Sequence, residues 1–262
     1  KTIRIFRWKG DYKMLTGYYS IASGMLAQQR KLEIQGNNLV NAQTPGYHAQ
    51  RAITTSFEEE LAKRLEPRAT GAIGSVNPIT IVERKDTLFQ SGDVKQTDRN
   101  MDVAINGYGY FNIQGEDENR TYLTRNGQFD IDEQGYLILP QTGRVLGTNN
   151  TPIQVGDTNF EVKEDGSVYT SAGALAGNLL VTELPETAEQ YENGLFGIPA
   201  GAQAQPVQGT GFVQGSLELS NVDLNREYTM MIEMQRGFQA CSTALQLIDQ
   251  IDQKAASQIA NI

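Results

Sequence analysis

The chain of 262 residues has one cysteine, Cys241, and one histidine, His48. A lone cysteine excludes an intrachain disulfide and a cysteine-based metal cluster. A lone histidine excludes a His-rich metal site and any triad that needs a second imidazole. Beside a turn, His48 is expected to be a solvated surface residue. Long apolar runs are missing too: none approaches the ~20 residues that span a bilayer, so no membrane span is expected. The basic N-terminal residues are not followed by a continuous apolar stretch with a small-residue cleavage site, and no cleaved signal peptide is expected. Positive charge is scarce: 22 Lys and Arg face 31 Asp and Glu, for a net charge of -9. Nucleic acid is therefore not the expected partner, because phosphate binding needs a clustered basic face.

Catalytic signatures are also absent. No Gly-x-Ser-x-Gly, Walker loop or His-Glu-x-x-His occurs. Gly107 and Gly109 in GYGYF lack the further glycine and helix of a dinucleotide fingerprint. The expectation is a chain without enzymatic activity, metal or cofactor.

What is present is a pair of helical ends around a β-rich middle. In the first helix, read from Tyr18 to Leu39, Tyr18, Met25, Leu32 and Leu39 recur every seven residues, supported by Ile21, Ala22 and Leu26. In the last helix one sevenfold series is Leu224, Met231, Phe238, Leu245, Asp252 and Ile259. Its companion is Glu227, Met234, Cys241, Ile248, Ala255 and Ile262. All but Asp252 and Glu227 are apolar or cysteine, so the stripe persists beyond five heptads. It is longer than the first helix can cover. Tyr18, Ile21, Met25, Leu32, Leu39, Leu224, Met231, Met234, Phe238, Cys241, Leu245, Ile248 and Ile259 are therefore expected to form an assembly interface with copies of the same chain. Cys241 then packs as a small hydrophobe.

Between the helices, alternating apolar segments at 103–114, 120–140 and 160–170 are separated by Asn106-Gly107, Asn126-Gly127, Gln134-Gly135, Thr142-Gly143 and Asp165-Gly166. Such dipeptides predict tight turns between antiparallel strands. NLLVTELP (178–185) reads as one further strand, and 186–214 as mostly loop. Residues 51–100 read as an extended linker, with a short helix in SFEEELAKRLEP. The fold class expected is α+β, with terminal helices pairing in a coiled-coil-like layer and a central antiparallel β domain. The divisions are 14–50 with 216–262, 51–100, and 101–215.

The first helix ends in NNLVNAQTPGYHAQ (37–50). Asn37, Asn38 and Asn41 compete with helical bonding through their side chains. Thr44 is pushed out of the α region by Pro45, and Pro45-Gly46 suits a type II turn with positive φ at Gly46. Gly46→Val is expected to spare the β domain while disturbing assembly, with Tyr47 as an anchoring ring. The rival reading rests on Asp130 and Asp132 in QFDIDEQG. Two carboxylates on one face of a strand could serve a periplasmic carbohydrate- or calcium-binding module or hydrolase.

Three ordered motifs bear a family resemblance. YSIASGMLAQQRKLEIQGNNLVNAQTPGYHAQ resembles the N-terminal signature of the bacterial flagellar rod and hook family, matched at Asn37, Asn38, Leu39, Asn41, Thr44, Pro45, Gly46 and Tyr47. MDVAINGYGYFNIQ with YLTRNGQFDIDEQGYLI is similar to its central β signature. GSLELSNVDLNREYTMMIEMQRGFQACSTALQLIDQ is similar to its C-terminal one, notably at Ser220, Asn221, Val222, Asp223, Leu224, Gln235, Arg236 and Phe238. The resemblance implies a structural, self-assembling subunit of the basal-body rod, most like the distal rod protein, in a tube with the helices innermost. It implies copies of itself and other rod and hook subunits as partners. It also implies export through the flagellar type III apparatus without a cleaved signal, to a rod crossing the periplasm. Residues 1–13 stand outside the resemblance, as an extension.

Overall fold

The computed structural model describes residues 11–56, 80–115, 120–185, 188–191, 193–198, 204–207 and 209–259. The fold is α+β, and the chain divides into two compact units.

The first unit holds residues up to Leu39, 50–87 and 224 onward. Helix α1 spans Asp11–Val40, beginning before the Tyr18 start read from the apolar pattern, and helix α2 spans Leu224–Ile259. Both are rich in straight-chain Gln, Met, Leu, Arg and Ala, which lose little rotamer freedom in a helix. α1 gives way to a short 3₁₀ turn, Asn41–Gln43, and then to extended Thr44 at φ -78° and ψ 119°. The clash that Pro45 would make with a helical predecessor accounts for the stop.

The helices pair antiparallel. Gly24 faces Cys241, Gln28 faces Gly237, Gln35 bonds Met230 and Asn38 bonds Glu227. Each step along α1 is matched by an equal step backward along α2. Strands β1 (Gln50–Ser56) and β2 (Thr80–Thr87) form an antiparallel ribbon, with a register shift between Ile53 and Thr54. This ribbon lies where the sequence suggested a loose linker. The polar Thr, Arg and Lys of both strands hide the alternation that announces a strand. SFEEELAKRLEP lies outside the described residues, apart from Ser56 at the end of β1.

The second unit holds residues 40–49 and 88–223. Its strands are β3 (Val94–Gln96), β4 (Val103–Asn106), β5 (Tyr110–Gln114), β6 (Thr121–Thr124), β7 (Asp130–Ile131), β8 (Leu137–Leu139), β9 (Gly143–Val145), β10 (Glu161–Val162), β11 (Ser167–Tyr169), β12 (Leu175–Asn178), β13 (Val181–Thr182), β14 (Glu189–Gln190), β15 (Phe196–Gly197), β16 (Gly211–Gln214) and β17 (Ser216–Glu218). One sheet runs β14-β15-β6-β5-β9-β8-β7, with β13 beside β5. A second is β10-β11-β12, and β16·β4 and β17·β3 form ribbons. All of the registered pairs are antiparallel.

Gln134-Gly135, Thr142-Gly143 and Asp165-Gly166 join neighbouring strands, as the turn chemistry predicted. Asn106-Gly107 and Asn126-Gly127 do not. Asn106-Gly107 leads from the β4·β16 ribbon into the large sheet, and Asn126-Gly127 joins β6 to β7, which are not neighbours within that sheet. A turn signal fixes a local bend, whereas pairing is decided by which faces bury. The loop expected at 186–214 contains β14, β15 and β16, and NLLVTELP is broken between β12 and β13. The core joins Val103, Phe111, Ile113, Phe129, Leu137, Val145 and Val168, all fully buried, with Phe111 edge-on to Phe129 at 5.0 Å.

Candidate assembly surface and its anchoring turn

The contacts between α1 and α2 define a seam. On α1 it carries Gly24, Gln28, Gln35 and Asn38, and on α2 Glu227, Met230, Gly237 and Cys241; sevenfold spacing from these puts Ile21, Lys31, Met234 and Ile248 on the same faces. Much of it is small or polar. Asn38 has no exposed surface and Glu227 only 5%. The Asn38 amide donates to Glu227 Oε2 at 3.2 Å and to the Gln50 carbonyl at 2.8 Å, while its oxygen accepts the Gln50 N–H at 2.9 Å. Only a carboxamide can both donate and accept in this way, which accounts for Asn at the position.

Eight large apolar side chains sit one residue beyond the seam, Tyr18, Met25, Leu32 and Leu39 on α1 and Leu224, Met231, Phe238 and Leu245 on α2, whereas Ile34 of α1 is buried, at 1% exposure. An antiparallel helix pair has an approximate twofold axis normal to the plane of the two axes. Equal offsets from the seam therefore lie on the same side of the pair. The eight residues make one composite ridge, half-buried along its length and exposed at Tyr18 (44%) and Leu224 (38%). Tyr19, Leu26 and Ile232, each more than half exposed, extend it outward. The sequence-derived interface thus separates into two sets. Ile21, Met234, Cys241 and Ile248 belong to the seam, whereas the eight ridge residues face away from it. Ile259 ends α2 with its side chain outside the described residues.

The turn after α1 is built into the β unit. Thr44 N–H donates to Asn41 O, and Tyr47 N–H to Thr44 O at 3.3 Å. Gly46 has φ +66°, so this is the expected type II turn. A Cβ at Gly46 would lie 2.3 Å from the Arg125 carbonyl carbon and 2.5 Å from Asn126 N. The earlier expectation for Gly46→Val therefore fails: a side chain there displaces the β unit's own backbone. Tyr47 is buried, as an anchor should be. Asn221 clamps the turn from the other end of the unit. Its side-chain oxygen accepts from Ala49 N at 2.7 Å, and its amide donates to the carbonyls of Leu88 and Gln90.

His48 is a second correction, being buried with 2% exposure instead of solvated. Docking of the turn carries it inward, to 3.8 Å from Glu218 Oε1 and 3.5 Å from the Tyr110 hydroxyl. Glu218 in turn meets Arg125 at 3.3 Å and accepts the Gly92 N–H. Arg125 also donates to Gly107 O at 2.7 Å and lies over the Tyr110 ring. Burial pushes the Tyr110 hydroxyl up to about 12, with the Glu218 charge adding and Arg125 opposing.

The rival acidic pair does structural work. Asp132 accepts the N–H groups of Gln134 and Tyr136 and the Arg144 guanidinium, closing the β7–β8 turn. Desolvation raises its pKa, but these donors outweigh that and hold it below the ordinary carboxylate value. Asp130 is exposed, 3.9 Å from Arg99. Among the described residues no three metal-ligating groups gather.

Comparison with known families places these features. The flagella basal body rod protein family matches residues 19–48, the flagellar hook protein FlgE/F/G D1 domain matches 104–170, and the flagellar basal body rod FlgEFG protein C-terminal family matches 213–259. The flagellar hook-basal body complex protein FlhO of Bacillus subtilis is 32% identical over 95% of this chain and 100% of its own length. The chain belongs to the flagellar basal-body rod protein family. The flagellar basal-body rod protein FlgG of Bacillus subtilis is 33% identical over 92% of the chain and 98% of its own length. FlgG of Borreliella burgdorferi is 30% identical over 90% and 96%.

As a member of that family the chain is a structural subunit of the flagellar basal-body rod, in company with other basal-body subunits. The terminal matches hold the anchored turn and most of both helices. No helix among the described residues is long and apolar enough to cross a membrane.

Proposed function

We propose that the subunit assembles with copies of itself by docking the composite apolar ridge of α1 and α2 against neighbouring helix pairs. The observation that carries this reading is the ridge itself, which repeats every seven residues on both helices and lies on one side of the pair. An apolar face of that length is the mark of an interface. Repeated around a screw axis, such docking makes a tube, and the family resemblance is what implies that the helices form its inner layer. The resemblance to proteins named FlgG supports the distal rod as its place, with other rod and hook subunits as end-to-end neighbours. Delivery through the flagellar type III apparatus, without a cleaved signal, belongs to the same proposal and is tested by secretion with the N-terminus intact. The assembly claim is tested by Phe238→Asp and Leu245→Asp in the full chain. Expected is loss of rod incorporation and motility with the β unit's melting transition unchanged. Rods of normal length would refute the claim.

A further inference from the structure

The seam with α2 takes a less apolar side of α1: Gly24, Gln28, Gln35 and Asn38 line it, Ala27 and Ile34 are buried next to it, and Tyr18, Met25, Leu32 and Leu39 lie one residue beyond. Turning α1 by one residue would bring Tyr18, Met25, Leu32 and Leu39 into the seam. It would expel Gly24, Lys31 and Asn38 together with their turn-mates Gln28 and Gln35. That rotation would bring four large apolar side chains against α2, while displacing Ala27 and Ile34, which are buried in the observed phase. The observed arrangement instead leaves the Oε1 atoms of Gln28 and Gln35 buried without a hydrogen-bond partner.

What distinguishes the observed phase is the pair at the mouth of the seam. Asn38 and Glu227 are both buried and bonded to each other, and Asn38 is bonded twice to the backbone of Gln50 at the start of β1. A rotation of α1 by one residue turns the amide through about 100°. That would take the Asn38 amide away from the buried Glu227 carboxylate, which carries a heavy penalty. Buried polar groups at such positions cost stability and specify a single arrangement.

We propose that Asn38 and Glu227 are positioning residues that set the rotational phase of α1 against α2 and so keep the apolar ridge facing outward. The proposal rests on the assembly reading only for its purpose. The phase itself is a property of the single chain.

Cys241 supplies the probe. A Cβ at position 24 would stand 3.8 Å from its Sγ, so Gly24→Cys should form a disulfide with Cys241 in the observed phase. Met25→Cys should do so only after rotation. Each is made in the full chain, in the parental background and with Glu227→Gln or Glu227→Leu, and disulfide yield is read under mild oxidation. Expected is that the parent and Glu227→Gln, which keeps an acceptor for the Asn38 amide, cross-link through position 24 and not 25. With Glu227→Leu, cross-linking moves from position 24 to position 25 while far-UV helix content is retained.

An unchanged pattern in Glu227→Leu, or cross-linking through position 25 in the parent, would overturn the proposal. If Glu227→Leu loses helix, Glu227→Ala is read in the same way. If the phase moves but rods still grow, the assembly reading fails while the positioning role stands.

Discussion

The β unit covers most of its large apolar side chains, whereas the helical unit leaves many of its own in the open. The β unit fills its interior with Val103, Phe111, Ile113, Phe129, Leu137 and Val168 and leaves its charges outside, apart from a few buried groups that include the Arg125–Glu218 pair. The helical unit buries Asn38, Gln35 and Glu227 along with Ala27 and Ile34, and leaves much of Tyr18, Tyr19, Leu26 and Ile232 in the open. A unit that buries its own apolar side chains needs no neighbour to cover them. A unit that leaves this much apolar side chain in the open is completed by neighbours. The difference teaches that a subunit can keep its folding core and its assembly core in separate parts of the chain.

The comparison is broken most severely by attacking the β core. Phe111→Ala should cost about 3–5 kcal/mol, through lost transfer energy and the cavity left beside Phe129. Urea denaturation followed by β-sheet circular dichroism measures it. A comparable loss is expected for Arg125→Met, which leaves Glu218 as an unpaired buried charge at about 3–5 kcal/mol. Replacing both partners together should recover much of it, and a double-mutant cycle reads the recovery.

Gly46→Val comes next, since a β-branched residue at positive φ is strained by ~1 kcal/mol or more before the contact with the Arg125–Asn126 backbone is counted. It should lower the melting temperature of the β unit. An unchanged transition would mean the turn is not docked as described.

A smaller effect is confined to alkaline solution. The Tyr110 hydroxyl is raised to about 12, so the unfolded chain loses its proton first, near pH 10. This contribution is intact below pH 10 and is lost as pH rises towards 12. Tyr110→Phe should flatten the fall in stability over that window, measured by urea titrations at successive pH values.

Much of this was legible in the sequence. The helix stop, the type II turn with positive φ at Gly46, the paired helical ends and several β turns follow from Pro, Gly and Asn chemistry and from sevenfold spacing. Other features needed the third dimension. His48 reads as surface because nothing local shows that the turn docks into the β unit. Asn38 reads as a helix breaker, since its partners are Gln50 and Glu227, the latter 189 residues away. The apolar heptads were visible, but which side faces the partner helix was not. On α1 the seam is mostly small and polar, at Gly24, Gln28, Gln35 and Asn38, and a hydrophobic pattern cannot reveal it there. Glu227 was the available signal: an acid in an otherwise apolar series asks for a buried partner.

The central claim is that the ridge belongs to assembly and not to the fold of the single chain. The most direct measurement is the triple variant Met231→Ser, Phe238→Ser and Leu245→Ser, followed at once by monomer circular dichroism with thermal melting and by rod incorporation in cells. The account predicts unchanged helix content, an unchanged β-unit transition, and no incorporation. Collapse of the helix pair in the monomer, or rods that still include the variant, would contradict it.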